Sequence, residues 1–178
     1  MPLILDGNGD ITGLVAGALP STVIGAGGVL QVVQTVKTDT FSTSSSTLAD
    51  ITGLSVTITP SSASNKILVI VDLHISYSVY AGIVHLLRGA TKIYAGDGGL
   101  NRCGLFSSVY YGVSGNTLLP VTATFLDSPA TTSATTYKLQ TANYSTGIQY
   151  VNRTGDNNND PNRDGLTASS ITVMEIAA

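Results

Sequence analysis

Charge is what this chain of 178 residues has least of: 11% of its residues are charged, against about 25% in an average soluble domain. The 8 Lys+Arg stand singly, and the formal net charge is −3. That distribution excludes the clustered basic face a nucleic-acid binder needs, and it offers nothing to an anionic membrane. So few charges protect poorly against association, so much of the surface is expected to be buried in an assembly. Tryptophan is absent and Cys103 is the single cysteine. A lone cysteine makes no intrachain disulfide and no cysteine metal cluster; it reads as an inert free thiol. No basic residue precedes Lys37, which argues against a secretory signal. No apolar run reaches the roughly 18 residues of a membrane span. The expected location is the cytosol or a particle assembled inside a cell.

What is present is β pattern. Across residues 66–78, Ile67, Val69, Val71, Leu73, Ile75 and Tyr77 form one unbroken apolar face at period two, the spacing of a strand. The other face reads Lys66, Leu68, Ile70, Asp72, His74, Ser76, apolar at first and polar later. At about 3.3 Å per residue this strand would run roughly 40 Å, so a bend is expected near Asp72. The core is expected to be built on this strand, and Leu68 and Ile70 need a cover from a second layer or a neighbouring subunit.

Residues 1–28 differ from the rest. This stretch holds Gly7, Gly9, Gly13, Gly17, Gly25, Gly27 and Gly28 with only short apolar pieces between them, a composition that cannot bury enough to fold alone. They read as an extended attachment segment, ordered only against copies of itself or a docking site, and residues 29–178 as the head domain. Within the head, strands are expected over 29–38, 52–59 (with Leu54, Val56 and Ile58 on one face), 66–78, 83–88, 91–95, 105–112, 118–126, 136–144, 149–152 and 170–176. Residues 42–46 read as a polar loop and 60–65 as a turn; Gly89-Ala90 reads as the tight turn of a hairpin. Residues 154–166 form an Asx-rich loop. Short strands at regular spacing with no helical stripe indicate an all-β sandwich or barrel.

Candidate chemistry is thin. Asp156-Asn-Asn158-Asn-Asp160 has the alternating oxygens of a calcium loop, but Pro161 stands where the sharp turn needs Gly; Asx clusters are ordinary turn formers. Asp6-Gly-Asn8-Gly-Asp10 fails likewise at Ile11. Gly112-Val-Ser114-Gly115 lacks the second glycine of a nucleophile elbow, its place being taken by Asn116. His74 and His85 could make a catalytic triad only by coincidence, and a wet sheet edge or subunit seam is the simpler reading. Gly25-Ala-Gly27-Gly28 opens no helix, which excludes a phosphate cradle, and no carboxylate pair stands out for glycoside hydrolysis. No catalytic residue, metal ligand or cofactor site is expected. The eight tyrosines, among them Tyr77, Tyr80, Tyr94, Tyr110, Tyr111, Tyr144 and Tyr150, suit either contact surfaces or half-buried positions at the rim of a barrel.

The segments LDGNGDITGL, GVLQVVQTVKTDTFSTSS, TGLSVTITPSSASNKILV, LLRGATKIYAGD, FLDSPATTSATTYKLQT and SSITVMEIAA together resemble small fibre-type virion proteins of tailed bacteriophages, similar to those of phages of aquatic bacteria and cyanobacteria. The resemblance runs along nearly the whole chain and is weakest over residues 77–84 and in the Asx loop. It implies a jelly-roll-like β-sandwich head in a homotrimer, docked on other virion proteins through residues 1–28. No catalytic residue is implied. The head is expected to contact a host-surface glycan or protein through variable loops, and the trimer to cover Leu68 and Ile70. The alternative is a cement or decoration protein on the capsid lattice; an enzyme such as a depolymerase is a third possibility.

Overall fold

A computed structural model describes residues 4–5, 11–12, 25–78, 82–97, 106–109, 117–143, 147–156, 158–162 and 164–178. These residues contain strands and no helix. Two short strands, β1 (Ile4–Leu5) and β2 (Ile11–Thr12), pair only with each other. The rest of the expected attachment segment up to residue 24 lies outside the described residues.

The body is a sandwich of two antiparallel sheets. In the first, β6 (Lys66–Tyr77) is flanked on one edge by β10 (Leu119–Asp127) and on the other by β13 (Ser169–Ile176), then β12 (Gln149–Val151). Outside these run β3 (Val29–Lys37) beside β13 and β4 (Phe41–Thr43) beside β12. In the second, β11 (Thr135–Asn143) lies between β5 (Ala49–Ile58) and β7 (Gly82–Arg88). The far edge of β7 carries β8 (Thr91–Ile93) and β9 (Ser107–Val109). Counting β3 with β4, β8 with β9 and β12 with β13 as interrupted single strands leaves eight. Their orders are first-eighth-third-sixth and second-seventh-fourth-fifth. This is a double-sheet jelly roll.

Alternation explains the layers. Ile67, Val69, Val71, Leu73 and Ile75 of β6 are each at most 1% exposed and face the second sheet, where Leu54, Val56, Ile58, Val84, Leu86, Tyr137 and Leu139 meet them. At about 1.5–3 kcal/mol for each fully buried branched side chain, the central strand supplies the largest single share of the core. β6 is uninterrupted through Asp72; there it changes neighbour, β13 giving way to β12. The expected polar loop at 42–46 is corrected at its start, because Ser42 and Thr43 belong to β4 and pair with β12. The reading of 52–59 is extended: β5 begins at Ala49, and its pairing with β11 shifts register between Lys138 and Gln140. This bulge, with Gly53 at φ +83°, brings Ile51 to the core along with Leu54.

Three polar knots lock the sandwich. Across the sheets, Arg88 Nη1 donates to both oxygens of buried Asp127 at 2.9 and 2.8 Å, and the Tyr137 hydroxyl donates to Asp127 Oδ2 at 2.6 Å. Burial, with the adjacent carboxylate, pushes the Tyr137 phenol far up and keeps it a donor. Where β12 hands over to β13, Asn152 (φ +64°) donates to the carbonyls of Lys37 and Asp39 and accepts from Ser169 Oγ. It thus staples the break between β3 and β4 to the break between β12 and β13. The third knot is Glu175, 1% exposed, whose carboxylate accepts from Gln31, from the Ser61 amide and hydroxyl, and from Asn65. Burial alone would push Glu175 up; these donors outweigh it and hold the group below its ordinary value.

Two predictions follow from this packing. A Cβ on Gly82 would collide with the buried side chains of Gln149 and Tyr77. Gly82→Ala should therefore cost about 1–3 kcal/mol, seen as a lower urea midpoint at unchanged slope. For Glu175, a lowered native pKa means its contribution is complete above the ordinary glutamate value of about 4.3 and is lost as pH falls through the native value. Glu175→Gln should cost about 1–3 kcal/mol at neutral pH. In urea titrations across pH, the gap between wild type and variant should close below about pH 4.

Candidate functional site

The strand alternation that buries the odd residues of β6 turns the even ones outward. On this outer face of the first sheet, register aligns one apolar residue from each of four strands. Met174 of β13 lies opposite both Val32 of β3 and Leu68 of β6, and Leu68 lies opposite Leu126 of β10. Val32 and Leu126 are 55% and 52% exposed; Met174 and Leu68 are half-buried. The next row holds Gln34, Thr172, half-buried Ile70 and Thr124. The row after that holds Val36, which is 53% exposed, Ser170, Asp72 and Thr122. On β6 this face carries Lys66 at the start of the strand and Asp72 midway along it. Lys66 donates to Ser128 Oγ at 2.7 Å. Asp72, half exposed, lies 4.0 Å from His74 Nδ1, and that nitrogen donates to the Ala168 carbonyl at 2.9 Å.

The outer face of the second sheet is polar. The Lys138 ammonium and the Gln140 amide donate to the two oxygens of Asp50 at 2.8 and 2.7 Å. These bonds, Lys138 foremost, hold the Asp50 carboxyl below its ordinary value. The hydroxyls of Thr57 and Thr136 lie 2.8 Å apart. An open groove of about 560 Å³ runs between Asp50, Ser55, Thr136, Lys138 and Leu87. His85 is on this same face, opposite Gln140, its pKa pushed down by burial and by Lys92.

The residues singled out in the sequence are dispersed. His74 and His85 stand on opposite outer faces with the core between them, so they form no joint site. Asp160 and Asp164 turn carboxylate oxygens onto backbone amides of their own loop: Asp160 Oδ1 accepts from Asn162 N at 2.9 Å, and Asp164 Oδ2 from Asp160 N at 2.9 Å. That is Asx-turn chemistry. Among the described residues no group of three or more His, Cys, Asp or Glu is placed to hold a metal ion. Cys103, residues 6–10 and residues 112–116 lie outside the described set. Tyr77, Tyr137 and Tyr150 are at most 6% exposed and belong to the interior, which corrects the contact-surface reading for Tyr77 and Tyr150; Tyr94 is 45% exposed and stacks near Phe125 at 5.1 Å. The sequence reading picked out Leu68 and Ile70 but missed Val32, Met174 and Leu126, which join them only through strand order.

No protein-family model matches the chain, and no curated protein matches it. Among solved structures, it is similar to a chain of the infectious bursal disease virus Gx strain structure, at 15% identity and a TM-score of 0.37, covering 83% of this chain and 37% of that one. It is also similar to VP2 in the subviral particle of infectious bursal disease virus, at 15% identity and a TM-score of 0.29, covering 83% of this chain and 38% of that one. The chain thus spans less than two fifths of the length of either.

Proposed function

We infer that the chain is a structural subunit of a bacteriophage virion, a fibre-like homotrimeric appendage that docks through residues 1–28 and meets the host surface with its head. The observation that carries this reading is the outer face of the first sheet. Four strands align Val32, Met174, Leu68 and Leu126 on a chain with 11% charged residues. An exposed apolar patch with so little charge around it marks a contact surface. The role in this reading is non-enzymatic, as the resemblance to phage fibre-type proteins implies. The viral assignment and the trimer draw on the resemblance of the quoted segments to phage fibre-type proteins.

Multi-angle light scattering of the full chain should give the mass of three copies, or of six where two trimers associate; a monomer at micromolar concentration would contradict the reading. A reconstruction of the intact particle should place the protein on the tail or baseplate, whereas a regular position on the capsid lattice would favour a cement role instead. Release of reducing ends from host polysaccharide by the purified protein would overturn the non-enzymatic role.

A further inference from the structure

The outer face of the first sheet also carries a pattern that specifies its occupant. We propose that this face pairs with the same face of a second copy of the chain, about a two-fold axis lying between the sheets and running across the strands near the level of Val69. The inference rests on the reading that copies of this chain associate, and it adds which surfaces meet.

Three observations point to a second copy. The first is charge. The outward residues of β6 read Lys66, Leu68, Ile70, Asp72, positive, apolar, apolar, negative. Laid antiparallel on itself, that series sets Lys66 against Asp72 of the second copy at both ends and Leu68 against Ile70 of the second copy between them. A parallel arrangement would oppose like charges. Both end groups are accessible: Asp72 is half exposed and lies 4.0 Å from His74, and Lys66 holds a neutral hydroxyl.

The second observation is the lack of a different surface to cover this one. A heterologous contact, as in a cyclic trimer, opposes two unlike patches. Among the described residues the exposed large hydrophobics outside this sheet are Tyr94, Ile148 and Leu166, which are scattered. The outer face of the other sheet presents Asp50, Lys138, Gln140 and threonines. About this axis the row Val32, Met174, Leu68 and Leu126 meets the row Gln34, Thr172, Ile70 and Thr124 of the second copy, so the apolar side chains are covered by Ile70, threonine methyls and the aliphatic stem of Gln34.

The third is size. Four strands about 4.8 Å apart and nine residues long at about 3.4 Å each cover roughly 600 Å² in plan. A standard interface takes about 800 Å² of accessible surface from each partner, so a corrugated face of this extent suffices for a reversible contact. Sheets packed face to face keep their strands within about 30° of alignment, which the antiparallel overlay of β6 on β6 satisfies. The contact coexists with a three-fold one: it joins two trimers, so the assembly passes from three copies to six as concentration rises.

Native mass spectrometry and sedimentation equilibrium of the full chain test this. Lys66→Asp alone and Asp72→Lys alone should each weaken the even-numbered association at least tenfold. The double exchange Lys66→Asp with Asp72→Lys should restore it to within about threefold of wild type. Leu126→Lys, at an exposed position that leaves the core intact, should weaken it likewise, with circular dichroism confirming the fold. A double exchange no better than either single, or a Leu126→Lys chain that associates as wild type does, overturns the pairing. If the trimer persists while these variants change nothing, the pairing fails and the structural role stands. If the wild type stays a monomer at tens of micromolar, both fail.

Discussion

One constraint governs this structure: a central strand with two apolar faces inside a sheet that has only one layer beneath it. The odd residues of β6 are sealed against the second sheet. The even residues Leu68 and Ile70 obey the same preference, and no second layer covers them among the described residues. Alternation at period two makes one face a core and the other a surface, so apolar residues on the second face are a statement about neighbours. Each half-buried aliphatic side chain left in water forgoes a fraction of the roughly 1.5–3 kcal/mol that full burial provides. Aligned across four strands by register, the forgone fractions add up to a preference for contact.

The polar knots show how the same sandwich keeps its shape while exposing that face. Asp127 with Arg88 and Tyr137 ties sheet to sheet at one end. Glu175 ties the turn at Ser61 and Asn65 to the end of β13 and to β3. Each carboxylate is buried only because several donors meet it, and removing one partner would leave an uncompensated buried group. Both carboxylates are buried and turned inward with Ile67, so neither adds charge to the outer face. The face can therefore be rigid and mostly apolar, with Lys66 and Asp72 as its charges on β6, a combination suited to repeated contact between identical units.

The fold was legible where local pattern decides. Strand β6, the hairpin at Gly89-Ala90 and the alternation of Tyr137 and Leu139 against Lys138 and Gln140 follow from period two and turn composition alone. β4 was hidden because Phe41–Thr43 is short and polar, and its pairing with β12 lies more than 100 residues away along the chain. The bulge in β5 was hidden because Gly53 reads as a weak strand residue until the partner strand shows the register shift. Glu175 could have been found: it is in phase with Ile171 and Val173, so the alternation of SITVMEI already points it inward. The assembly face was half visible. Leu68 and Ile70 stand out on one strand, while Val32, Met174 and Leu126 acquire meaning only from the order in which the strands lie.

The most direct measurement of whether that face is occupied is hydroxyl-radical footprinting of the full chain across a concentration series. Met174 and Leu126 lie in the middle of the face and on an exposed strand, and Tyr94, 45% exposed on the other sheet, serves as an internal reference. The account predicts that modification of Met174 and Leu126 falls severalfold relative to Tyr94 as concentration rises into the micromolar range. Equal rates at all three positions, at every concentration up to that at which the protein remains soluble, would contradict it.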